Sequence, residues 1–145
     1  MLKYLIFLLS FLLLTSCGSP INHKVEGEQK TSSFLSFKTF NLQIETRWLE
    51  GPVGNINTDN QLMVIVKNQS NQLVSLPNGY SLNFYATMPE MGHPLDDPGF
   101  FEMVNEGIYI NKTIRYNMSG KWKNELWIID DASSVKDKVI WDEFF

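Results

Sequence analysis

The chain has 145 residues, a formal net charge of −4, two histidines and one cysteine. An acidic chain without a cluster of Lys and Arg interleaved with aromatics is not built to track a phosphate backbone, so nucleic acid is excluded as a partner. A single cysteine excludes an intramolecular disulfide and a cysteine metal cluster; the serines lack a Gly-x-Ser-x-Gly setting, and neither a phosphate loop nor a paired-carboxylate spacing stands out, so an enzyme is not expected.

The first predicted element is a leader. Lys3 precedes an apolar run from Tyr4 to Leu14 broken only by Ser10, too short for a stable membrane span but suited to an export signal. Leu14-Thr15-Ser16-Cys17 resembles a bacterial lipobox, in which Cys17 is lipidated and becomes the mature N-terminus. Residues 1–16 are therefore read as a lipoprotein signal peptide, 17–36 as the lipidated cysteine with a flexible, turn-rich tether, and 37–145 as one domain. The expected location is the bacterial cell envelope, with the domain held to a membrane by the lipid on Cys17 and facing the periplasm or the exterior. His23 lies in the tether, where a histidine is ordinarily just solvated.

From Thr39 the pattern turns to alternation, with Phe40, Leu42, Ile44 and Thr46 on one face of a half-buried strand. Trp48 to Asn55 is a turn-rich loop. Gln61 to Asn68 is a second strand, whose continuous apolar run predicts a central position. Leu73 to Leu76 reads as a short third strand, and Ser81 to Met88 as a fourth, with Leu82, Phe84, Ala86 and Met88 inward. After an irregular excursion through Asp96-Asp97-Pro98-Gly99, the stretch Gly107 to Met118 puts Ile108, Ile110, Ile114, Tyr116 and Met118 on one face. Ser119-Gly120-Lys121 then turns into a hairpin return strand, Trp122 to Ile129. Val135 to Trp141 is a last strand or docked tail. About seven short strands without a helix predict an all-β, immunoglobulin-like antiparallel two-sheet sandwich.

Chemistry concentrates in Met88-Pro89-Glu90-Met91-Gly92-His93-Pro94. Two thioethers and an imidazole sit beside prolines and glycine that restrict the backbone. Sulfur with imidazole suits copper, above all Cu(I), better than a hard cation. The competing reading is that methionines fill gaps in the core. Met88 and Met118 have core-facing parity, whereas Met91 and His93 do not and are the favoured ligands. If the two strand ends share one pole, Met88, Met91, His93 and Met118 converge, with Trp122 as a lid that excludes water. A harder variant would set His93 with Asp96, Asp97 or Glu102 around zinc or divalent copper, although Asp-Asp-Pro-Gly is also an ordinary turn sequence.

Met-Pro-Glu-Met-Gly-His-Pro, Gly107-Ile108-Tyr109 and Tyr116-Asn117-Met118-Ser119-Gly120-Lys121-Trp122, in that order, resemble the YtkA-like domain, a relative of FixH-type domains. Trp48 and Gly51-Pro52-Val53-Gly54-Asn55 resemble its beginning, so the likeness covers about residues 40 to 130. Pro94 departs from the pattern, where members often carry glycine or another small residue. The resemblance implies an exported or membrane-attached β-sandwich, sometimes associated with copper handling. The function expected is copper buffering or transfer at the envelope, with a copper donor or acceptor protein as partner. The alternative is a metal-free structural or protein-interaction module.

Overall fold

The computed structural model describes residues 35–145. The signal peptide, Cys17 and all but the last two tether residues lie outside the described residues.

Among the described residues there is no helix, and nine strands form two antiparallel sheets. One sheet has the order β1-β2-β3-β7-β6, built from β1 (Leu35–Phe37), β2 (Leu42–Glu50), β3 (Asn60–Lys67), β7 (Ile108–Ile114) and β6 (Phe101–Asn105). The other has the order β5-β4-β8-β9, from β5 (His93–Pro94), β4 (Tyr80–Met88), β8 (Lys121–Asp130) and β9 (Val135–Phe144). The expected all-β, two-sheet sandwich is thus what the chain builds. Six of the seven expected strands form, and β1, β5 and β6, short pieces of three, two and five residues, bring the number to nine. β1 takes in Leu35 and Ser36, the last two residues of the stretch read as tether.

Alternation explains the inner faces. In β3, Asn60, Leu62, Val64 and Val66 are buried while the residues between them are half-covered, as befits the middle strand of the five. In β4, Leu82, Phe84, Ala86 and Met88 point inward as expected, and in β8 so do Trp122, Asn124, Leu126 and Ile128.

Three expectations change. Ile108 and Ile110 do not face the core; Tyr109 and Asn111 do, and Ile114 and Tyr116 resume the inward face further on. The cause is a bulge. Asn60 pairs with Ile114 but Leu62 pairs with Asn111, so one residue on β3, Gln61, opposes two on β7, Lys112 and Thr113, and the side-chain parity shifts by one. Nor is there a hairpin between β7 and β8. Both edges of β7 are occupied, by β3 and β6, and both edges of β8 by β4 and β9, so residues 115–120 carry the chain from one sheet across to the other. Finally, Leu73 to Leu76 makes only an isolated bridge from Leu73 to Lys67.

Aromatic packing is concentrated at the pole where β4 ends and β8 begins. Tyr116 lies 4.8 Å from Trp122, 4.9 Å from Phe145 and 6.1 Å from Trp48, centroid to centroid, and Phe84 lies 6.0 Å from Trp141. Such pairs contribute about 0.5–1.5 kcal/mol each beyond simple burial, so this pole is a stiff base for the loops that leave it.

Candidate metal centre at one pole of the sandwich

Met88 is the last residue of β4 and faces inward with only 7% of its surface exposed. Its carbonyl accepts hydrogen bonds from the backbone N–H of Met91 at 3.2 Å and of Gly92 at 2.8 Å, which reverses the chain within four residues. Gly92 supplies the positive φ of 65° that this tight reversal needs. The chain then returns as β5, with His93 directly opposite Met88 in the ladder and Pro94 opposite Thr87. Residues directly opposite one another share a face, with Cβ atoms about 4.5–5.5 Å apart. The thioether of Met88 and the imidazole of His93 therefore belong to one side of the sheet, the first covered and the second at an exposed edge.

The crossover between the sheets joins the same pole. Asn117 donates from Nδ2 to the carbonyl of Pro94 at 3.2 Å, tying the crossover to β5. Met118 is half-buried against the core, and the indole N–H of Trp122 donates to its carbonyl at 3.1 Å. A Cβ added to Gly120 would lie 2.6 Å from the Cε of Met88, so the Met88 methyl rests against the backbone of this turn. Gly54 buttresses the crossover from the other side, where a Cβ would fall 2.1 Å from the carbonyl carbon of Met118. Phe145 closes the set, accepting from Gly120 N at 2.8 Å.

The predicted residues are thus placed as follows. Met88, His93 and the turn carrying Met118 come together. Met91 sits at the tip of the reversal and is exposed. Trp122 is fully buried beneath the turn, where its indole braces Met118 from below. Cys17 lies outside the described residues.

The hard-ligand variant does not survive. Asp97 pairs with the Arg115 guanidinium at 2.5 Å, Asp96 approaches it at 3.6 Å and Asp59 at 3.9 Å. The backbone N–H groups of Asp96 and Asp97 also donate to the Arg115 carbonyl, pinning both residues to the crossover. Among the described residues no three His, Cys, Asp or Glu gather as a metal group. The residue paired with His93 in the ladder is Met88, whose thioether is a donor of the soft kind that suits copper better than a hard cation.

The sequence reading put Tyr116 on the inward face but gave neither it nor Asn117 a role at this pole, and it passed over Arg115. Tyr116 is fully buried and donates its hydroxyl to Asn124 Oδ1 at 2.8 Å. Burial, and secondarily the charge of Glu143, pushes its pKa far above the tyrosine range, with the Asn124 bond acting the other way. Its hydroxyl stays protonated and serves structure, not proton transfer. Only the even spacing of Ile114, Tyr116 and Met118 hinted at its inward position.

No protein-family description and no curated protein matches the chain. Among solved structures it is similar to two copper-bound variants of Campylobacter jejuni P19. One is 10% identical with a TM-score of 0.51, covering 78% of this chain and 94% of that one. The other is 11% identical with a TM-score of 0.49, covering 77% and 95%. At such identity the likeness is one of fold.

Proposed function

We propose that this protein is a lipid-anchored envelope protein that binds copper, as Cu(I), at the pole just described and buffers it or passes it to a partner protein. The observation that carries the reading is the pairing of Met88 with His93 in one ladder, with Asn117 linking that ladder to the Met118 turn. Met91 and His93 are the primary ligands in this proposal, and Met88 and Met118 complete the soft donor set. When bound, copper would supply only its affinity for sulfur and imidazole; the chain's task is to hold those donors near one another on a stiff base. The similarity to a copper-bound protein of the same fold agrees with this reading. In this proposal lipidation of Cys17 supplies the membrane attachment.

Competition against a Cu(I) chelator under reducing conditions tests the site. His93→Ala and Met91→Leu should each weaken binding with the fold intact, and acidification should weaken it further, because a proton competes for the imidazole. Equal affinity of wild type and the double variant removes the site. Cys17→Ser should release the protein from the membrane fraction, and wild-type protein free of lipid would overturn the anchor.

A second reading, a metal-free interaction module, draws on one feature. Edge strand β6 and its approach leave three large apolar residues exposed, Phe100, Met103 and Val104. Wild-type protein that binds no Cu(I) would favour it.

A further inference from the structure

We propose that Met91 is a site of reversible oxidation by peroxide, and that its sulfoxide switches off the copper-binding loop; the second half rests on the copper reading above. Five methionines fall among the described residues. Met88 is 7% exposed and Met63 and Met118 are half-buried, which leaves Met91 at 55% and Met103 at 58% as the accessible sulfurs. These two differ in one respect. The Ser75 hydroxyl donates to the sulfur of Met103 at 3.3 Å, engaging the lone pair that must attack the oxidant. Among the described residues the sulfur of Met91 has no such donor.

The surroundings of Met91 also let the change occur without unfolding the domain. Its turn is held by backbone hydrogen bonds to the Met88 carbonyl, not by its side chain. At the neighbouring Gly92 a Cβ would meet nothing within 4 Å. A sulfoxide there enlarges into solvent, whereas in a core it would disrupt packing. In the reaction a sulfur lone pair attacks one oxygen of hydrogen peroxide. The S–O bond forms as the O–O bond breaks, the departing hydroxide takes up the proton and leaves as water, and sulfur loses two electrons to the peroxide. The product offers a hard oxygen where Cu(I) requires soft sulfur. Reduction by a methionine sulfoxide reductase returns the thioether.

The metal-free mature protein is exposed to dilute hydrogen peroxide, and sulfoxide at each methionine is followed by peptide mass spectrometry. Met91 should oxidise about eightfold faster than Met88, the ratio of 55% to 7% exposure. It should outpace Met103 on the order of threefold, the effect of one weak hydrogen bond on the competing sulfur. Ser75→Ala should erase the gap to Met103 and leave Cu(I) affinity unchanged. Oxidised protein should bind Cu(I) at least about tenfold more weakly in chelator competition, the reductase should restore it, and Met91→Leu should be weak from the outset and indifferent to peroxide. Met103 reacting as fast as Met91 in the wild type overturns the proposal. So does a Met91 sulfoxide that keeps the affinity lost in Met91→Leu, although copper binding by the loop then stands. If the sulfoxide, Met91→Leu and His93→Ala all bind Cu(I) like the wild type, the copper reading fails with it.

Discussion

Gly120→Ala should cost about 2–3 kcal/mol, against about 1 kcal/mol for Gly92→Ala, although both glycines have positive φ. At Gly92, φ is 65° and the space beside the Cα is empty, so only the left-handed backbone is penalised. At Gly120, φ is 143°, a region rarer still for a side-chain-bearing residue, and strain of about 1–3 kcal/mol is expected there. The new Cβ would also lie 2.6 Å from the Met88 Cε, well inside the contact distance of about 3.5–4.0 Å between carbons. Met88 must swing away and give up part of its burial, about 0.8 kcal/mol for each methylene-sized group. Urea denaturation measures both variants. For a domain of this length each kcal/mol also lowers Tm by about 4 °C, so the two should differ by several degrees. Trimming the clashing end with Met88→Val should make Gly120→Ala milder by about 1 kcal/mol in a double-mutant cycle. Equal costs at the two glycines, or additivity within about 0.3 kcal/mol, would mean that Met88 does not rest on this turn, and the convergence at the pole would be lost with it.

Asn117→Ala removes the bond to the Pro94 carbonyl; it should cost about 1 kcal/mol or less in stability yet weaken Cu(I) binding about fivefold, and an unchanged affinity would mean that this bond does not position His93. Tyr116→Phe strands the buried Oδ1 of Asn124 and should cost about 1–3 kcal/mol by denaturant titration, with a loss below about 0.5 kcal/mol counting against the bond. The Asp130 carboxyl is held below the ordinary aspartate range chiefly by its hydrogen bond with Lys136, and next by the backbone N–H of Ser134. Because its folded-state pKa is depressed, its contribution is present above the unfolded value of about 3.9 and is lost as pH falls through the lower folded value. Asp130→Asn should therefore narrow its stability gap to wild type below about pH 4, and a gap independent of pH would refute the assignment.

Much of the fold was legible because strands with one buried face write their period into the chain. Leu82, Phe84, Ala86 and Met88 face the core as their spacing predicts, and the unbroken run around Val64 marks the central strand. The faces of β7 were not legible, since the bulge between Asn111 and Ile114 depends on what β3 offers opposite and leaves no local signal. The same holds for the supposed hairpin. Ser119-Gly120-Lys121 is a good turn sequence, but whether a turn joins two strands of one sheet or crosses between two sheets is settled by which ladder edges are already filled.

For the site the division runs along the same line. Residue types and close spacing put Met88, Met91 and His93 in one loop, because neighbours in sequence cannot be far apart in space. Only the tertiary structure brought the Met118 turn to that loop, through Asn117, Gly120 and the Trp122 indole. It also took Asp96 and Asp97 out of the donor set by seating Arg115, eighteen residues beyond Asp97, against their carboxylates. Donor chemistry is a property of residue type and can be read from a chain; which donors stay free is a property of what packs beside them, and that is decided by the fold.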